Sequence, residues 1–252
     1  MPAARVAIVT GAGRGIGRAT VRLLAARGDR VLAVSRTESE LATLAVETGC
    51  ATLSETVATA GGCARIVAQA RLLGPVEILV NNAGIGSAGE TELWELPPEV
   101  WHETMATNLH GPFELTRLTA RDMIERRYGR IVMVSSTAGE IGGARMAAYC
   151  ASKHGLLGLM RAAAQDLGPH GITCNAVLPG WVRTEMAERS AAREAERRTI
   201  SVAEVWRERG AAYPPGRVVT MDEVAAAIAF LTSEESSGIS GEAVTVALGG
   251  LW

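Results

Sequence analysis

Mostly apolar runs alternate with amphipathic segments along almost the whole chain. Runs at residues 5–10, 30–34, 50–54, 76–80, 130–134, 172–177 and 243–247 are short and largely lack a polar alternate face. Such strands are covered on both sides, as in a parallel sheet. Helical patterns fill the gaps: from the glycines after the first run through Arg27, then 37–47, 60–73, 97–126, 149–167 and 220–231. Thr37 to Glu40 and Ser201 to Glu204 have the spacing of capping boxes, and Thr220 caps the last helix. Pro97-Pro98 suits the first turn of a long helix, whereas Asn108 and Gly111-Pro112 inside it predict a kink. Strand–helix alternation without repeat or linker predicts an α/β chain: one doubly wound parallel sheet of about seven strands, helices on both faces, in a single domain.

The chemistry gathers where the strands end. After the first strand come Gly11, Gly13, Gly15 and Gly17, spaced Gly11-x-x-x-Gly15-x-Gly17 with Ile16 between the last two. A glycine turn opening a helix lets backbone amides approach a pyrophosphate. The second strand ends in Ser35-Arg36, where a fold reading NAD would carry a carboxylate for the ribose 2′-hydroxyl. A small residue followed by a guanidinium accommodates a 2′-phosphate instead, and Arg14 can approach it from the glycine turn. This points to NADP(H), with Glu38 as the one acid that could argue for NAD(H). Asn81-Asn82-Ala83-Gly84 closes the fourth strand; such asparagines either lock neighbouring strands or line a ligand crevice.

The stretch from Ser136 to Lys153 is the second centre. Of 25 basic residues, 24 are arginine, and the single lysine, Lys153, follows one of only three tyrosines, Tyr149, by four positions. On a helix this places both on one face. A fixed ammonium, which unlike a guanidinium is compact and can lose its proton, is expected to bring the phenol pKa toward neutrality. Ser135-Ser136 ends the fifth strand at the same edge.

Composition narrows the field. The 252-residue chain is 48% hydrophobic and 21% charged with a net charge of -2, which calls for neither nucleic acid nor an anionic membrane as partner. The first residues run straight into a strand without a signal-peptide core, and no segment has the apolar length of a membrane span, so a soluble cytoplasmic protein is expected. Cys50, Cys63, Cys150 and Cys174 are scattered, and no metal site is expected. Residues 184–213 turn rich in Arg, Glu and Ala and read as one or two exposed helices, a candidate substrate lid with Met186 and Trp206 as apolar contacts.

Taken together, T-G-x-x-x-G-I-G from Thr10, N-N-A-G from Asn81, Asn108, Ser136, Tyr149-x-x-x-Lys153 and P-G-x-V-x-T from Pro179 resemble the short-chain dehydrogenase/reductase family across essentially the whole chain. The resemblance implies a Rossmann-type sheet and a catalytic tetrad of Asn108, Ser136, Tyr149 and Lys153 transferring hydride between NADP(H) and a ketone or secondary alcohol. Asn108 would then hold a water that links Lys153 to solvent. Implied cofactor contacts are Gly11, Arg14, Gly15, Ile16, Gly17, Ser35, Arg36, Asn82, Ala83, Gly84, Tyr149, Lys153, Pro179, Gly180, Val182 and Thr184. Glu55, followed by Thr56, stands where the family usually places an aspartate on the adenine amine. Pocket positions follow Ile85, cover residues 139–146, and include Trp181 and the lid. The chain is also similar to 3-oxoacyl-carrier-protein reductases, for which Arg126, Arg127 and Arg130 could form a carrier patch; the second basic position expected near His170 is missing, so a carrier partner is not favoured. A homotetramer built on the long helices and last strand is implied. An extended-branch epimerase would need a larger C-terminal region, and a non-catalytic cofactor sensor would not need to keep Tyr149 and Lys153.

Overall fold

The computed structural model describes residues 4–86 and 91–250. Seven strands form one all-parallel sheet in the order β3-β2-β1-β4-β5-β6-β7: β1 Val6–Thr10, β2 Arg30–Ser35, β3 Ala51–Ser54, β4 Val76–Asn81, β5 Gly129–Val134, β6 Ile172–Pro179 and β7 Ala243–Val246. The order reverses between β1 and β4, which opens a crevice at their carboxyl ends. Every residue of β1, β5 and β6 is buried, the reason these runs show no alternation.

Helices α1 (Gly15–Ala26), α2 (Glu38–Thr48) and α9 (Met221–Leu231) cover one face, where Leu24, Leu44 and Ile228 meet Val9, Ile78 and Val132. Helices α3 (Ala60–Arg71), α5 (Gly111–Arg126) and α6 (Ala147–Leu167) cover the other through Ile66, Leu115, Met123 and Leu156. Each such fully buried side chain contributes roughly 1.5–3 kcal/mol.

Two local expectations fail. The Thr37 side chain makes no cap bond on α2, because Ser35 Oγ takes the Thr37 amide (3.1 Å) and pulls it into the turn after β2. The capping box does form at Thr220, where Glu223 binds the Thr220 amide and Thr220 Oγ1 receives the Glu223 amide. The long helix expected over 97–126 is instead α4 (Pro98–Met105), a π-helical turn at Ala106–His110, and α5. One extra residue per turn rotates Asn108 inward, and a π-bulge of this kind takes the place of a proline kink. Residues 184–213 form two helices, α7 (Glu185–Arg198) and α8 (Val202–Ala211), packed on each other through Ala191, Val205 and Trp206.

Candidate active site

Four strand ends build the site. At β1, Thr10 Oγ1 receives the amides of Asn82 and Ala83 (3.0 Å each), joining the glycine turn to the end of β4. Asn82 reaches back, its Nδ2 donating to the carbonyls of Thr10 (2.8 Å) and Gly11 (3.1 Å). Asn81 points the other way into the core, toward Thr116 and Met133. The strand-locking use of the asparagine pair is therefore present, with Asn82 holding β4 to the glycine turn and Asn81 anchored in the core. Gly11 has φ +64°, and a Cβ there would lie 2.9 Å from the Ala83 Cα. No larger residue fits that approach.

The N-terminus of α1 receives no side-chain cap from Arg14 and carries no acid in its first turn. Its amides and the positive end of its dipole are left for an anion, which fits the pyrophosphate of a dinucleotide. Around this turn the second-strand residues behave unevenly. Ser35 lies close to Gly13. Arg14 is engaged by Glu40 (2.9 Å) and Glu185 (2.7 Å), and Arg36 is exposed with no ion pair among the described residues. The carboxylate that approaches the turn is Glu40, over Gly13, whereas Glu38 is exposed. Glu55 is tied to Arg65 and the Thr56 amide, which holds its carboxyl below the usual carboxylate range.

The proton-transfer residues come from β5 and α6. Ser136 Oγ receives the Ala138 amide (3.1 Å) at the start of a 3₁₀ turn, and Ser135 Oγ donates to the Lys153 carbonyl (3.1 Å), seating α6 against the strand end. Lys153 is only 4% exposed, with Nζ donating to the Val134 carbonyl (2.8 Å) and lying 5.6 Å from the centre of the Tyr149 ring. Burial lowers its pKa to about 8. The Tyr149 phenol is raised above its ordinary value by burial, with a hydrogen bond to Ser136 pulling the other way. The expected lowering by Lys153 is absent, because the ammonium faces the ring and Val134, and desolvation outweighs a cation held at that distance.

Asn108 is fully buried in the π-helical turn. Its Oδ1 receives the Ile85 amide (2.9 Å), and Nδ2 donates to the Ile85 carbonyl (2.9 Å) and Ser152 Oγ (3.1 Å). Both amide hydrogens are thus spent on bracing the loop after β4 against α6. A Cβ on Gly84 would lie 3.4 Å from Asn108 Oδ1 and 3.6 Å from Lys153 Nζ, so these three residues converge.

At β6, Pro179 pairs with Val246, and Gly180 donates to the Val246 carbonyl (3.0 Å). Val182 is buried and bridges Val219. Thr184 caps α7 through the Ala187 amide, and its methyl group stands 3.6 Å from where a Gly15 Cβ would be. Ile16 packs at the edge of the core beside this contact. Met186 lies against Gly86, bringing α7 over the mouth of the crevice. The pocket positions that continue past Gly86 into 87–90 lie outside the described residues. Trp206 serves the internal packing of α7 and α8, its indole Nε1 donating to Glu188 (2.8 Å).

Residues 5–195 match the family model for short chain dehydrogenases. The protein is a short chain dehydrogenase. It is 35% identical to the 3-oxoacyl-[acyl-carrier-protein] reductase FabG of Escherichia coli K12, over 96% of this chain and 95% of that one. It is 40% identical to a Streptomyces virginiae protein assigned as the ketoacyl reductase of the monensin polyketide synthase, over 98% and 97% of the two chains. Among solved structures, a variant of the actinorhodin polyketide ketoreductase with NADPH superposes with a TM-score of 0.92 at 36% identity, covering 98% of each chain. Levodione reductase gives 0.91 at 28% identity, covering 97% of this chain and 96% of the other.

Of the three arginines considered for a carrier, Arg126 and Arg127 are exposed and Arg130 is buried. Arg126 pairs with Glu77, Arg127 donates to the Pro169 carbonyl, and Arg130 is buried over the Tyr128 ring. Ser152 is not legible from sequence as part of the site, Ser135 enters only as the neighbour of Ser136, and Glu40 only as a helix-capping residue. Ser135 and Ser152 stand directly beside chosen residues, and Glu40 faces the glycine turn only because α2 begins where it does.

Proposed function

We propose that this short chain dehydrogenase is an NADP(H)-dependent ketoreductase in which Tyr149 is the acid. The observation that carries this is the chain's single lysine, buried one helical turn from Tyr149, with Ser136 on the phenol. When bound, the nicotinamide supplies the hydride for the carbonyl carbon. The α1 amides and the turn through Gly11, Gly15 and Gly17 hold the pyrophosphate, Asn82, Ala83 and Gly84 shape the crevice, and the Pro179–Thr184 segment faces the nicotinamide. Arg14 and Arg36 clamp the 2′-phosphate beside Ser35, Arg14 exchanging its carboxylate partners for it.

Ser136 orients the carbonyl oxygen. A phenol whose pKa burial has raised keeps its proton at neutral pH and delivers it to the alkoxide as that charge forms. Lys153 would hold the ribose hydroxyls and, turned from the Val134 carbonyl toward them, would stabilise the phenolate as it forms, while Asn108 fixes the distance between the loop after β4 and α6. Helices α7 and α8 act as the lid, with Met186 at its contact edge. Tyr149→Phe is expected to abolish the ketone-dependent loss of NADPH absorbance while leaving NADPH affinity within about twofold, since the ring and its packing stay. Turnover above about one hundredth of wild type would refute the acid assignment, because general acid catalysis contributes roughly 10²–10⁴-fold.

A 3-oxoacyl thioester is the second reading, favoured by what the relatives' names say those proteins act on. A panel containing a 3-oxoacyl thioester and free cyclic ketones separates the two by kcat/KM. We further propose a cytoplasmic homotetramer, a reading supported by the family resemblance; light scattering after size exclusion tests the assembly.

A further inference from the structure

Arg209, on α8, is 6% exposed and serves none of the steps above. Its guanidinium stacks 3.6 Å from the centre of the Trp181 ring and 5.1 Å from that of Trp206. In its plane it donates to Glu194 (2.8 Å), Ser190 Oγ (3.2 Å) and the Ala187 carbonyl (3.3 Å), all on α7. Its Nε is buried without a hydrogen-bond partner among the described residues. An apolar side chain of this volume would fill the space between α7 and α8 without the desolvation penalty of a buried cation. What it would lack is a flat donor that can stack on one element while bonding to another.

The element on the stacked side is the exit of β6. Trp181 is partly exposed at the carboxyl edge of the sheet, its amide donating to Tyr213 Oη (2.7 Å) and its carbonyl accepting from the Val219 amide (3.0 Å). The backbone of this segment is therefore fixed at both sides of Trp181, and Arg209 fixes the ring. We infer that Arg209 is a positioning residue for the carbonyl pocket: it couples the α7–α8 pair to the Trp181 ring, which belongs to the Pro179–Thr184 segment that the proposed function sets against the nicotinamide. This rests on the ketoreductase reading for its kinetic consequence only.

The test uses Arg209→Lys, which keeps the charge and the Glu194 partner but cannot stack flat, alongside Arg209→Leu. Expected for both is a rise in ketone KM of about tenfold, the size of a lost desolvated cation–π contact, with kcat within about twofold and NADPH affinity unchanged. Amide exchange followed by mass spectrometry should speed up about tenfold across residues 180–186 while the sheet stays protected. A merely structural role would lower the melting temperature and leave KM and that exchange at wild-type values, and this result in Arg209→Lys overturns the assignment even if Arg209→Leu fails to fold. If the wild-type protein reduces no ketone, the ketoreductase reading has failed, and the exchange of residues 180–186 in Arg209→Lys alone decides the role of Arg209.

Discussion

Replacing Lys153 with methionine should make the protein more stable while destroying its activity. Among the described residues the ammonium, 4% exposed, has one carbonyl as its hydrogen-bond partner and no carboxylate, and burial lowers its pKa from an ordinary 10.5 to about 8. At roughly 1.4 kcal/mol per pH unit, keeping that charge in the folded protein costs on the order of 3 kcal/mol at neutral pH. Methionine fills a similar volume and removes the cost, but it strands the Val134 carbonyl, a loss of about 1–2 kcal/mol. The net gain expected at pH 7 is about 1–2 kcal/mol.

The pH dependence makes the reasoning sharper. Between about pH 8 and 10.5 the unfolded chain holds the lysine proton and the folded chain has released it. Stability contributed by this group therefore rises with pH across that window and is flat below it. Urea unfolding of the ligand-free protein from pH 7 to 10 should show wild type gaining on Lys153→Met above about pH 8 until the difference closes. A variant less stable than wild type at pH 7 by about 1 kcal/mol or more, or a difference that does not change with pH, would refute the burial argument.

Two further substitutions probe the nucleotide turn. Glu40→Gln should tighten NADPH by about fivefold in a fluorescence titration and leave NADH nearly unchanged, because it removes one of the two carboxylates on Arg14 and a screened repulsion of about 1 kcal/mol from the 2′-phosphate; weaker NADH with NADPH unchanged would instead assign Glu40 to a ribose 2′-hydroxyl. Gly17→Ala would drive a methyl group into the Gly11 carbonyl and the Asn82 amide, so a loss of about 1–3 kcal/mol in thermal unfolding and at least tenfold weaker NADPH binding are expected; wild-type affinity would show that the turn is not the pyrophosphate site.

The sheet was legible from sequence because parallel strands covered on both faces leave uninterrupted apolar runs, and all seven runs became strands. What sequence spacing hid was direction. Tyr149 and Lys153 do share a helix face, but whether a cation lowers a phenol depends on where Nζ points, and a carbonyl on β5 captures it. Asn108 was legible as an awkward residue in a helix, whereas the π-helical turn that makes use of it depends on partners at Ile85 and Ser152, 23 and 44 residues away. Arg14 shows the same limit from the opposite side. Its place in the glycine turn is local and was readable, yet its two carboxylate partners come from α2 and α7. For the proposed clamp that arrangement has a consequence of its own: a 2′-phosphate would compete with Glu40 and Glu185 for one guanidinium, and NADPH binding is then expected to loosen α7 from the glycine turn, which faster amide exchange across 185–190 on adding NADPH would register.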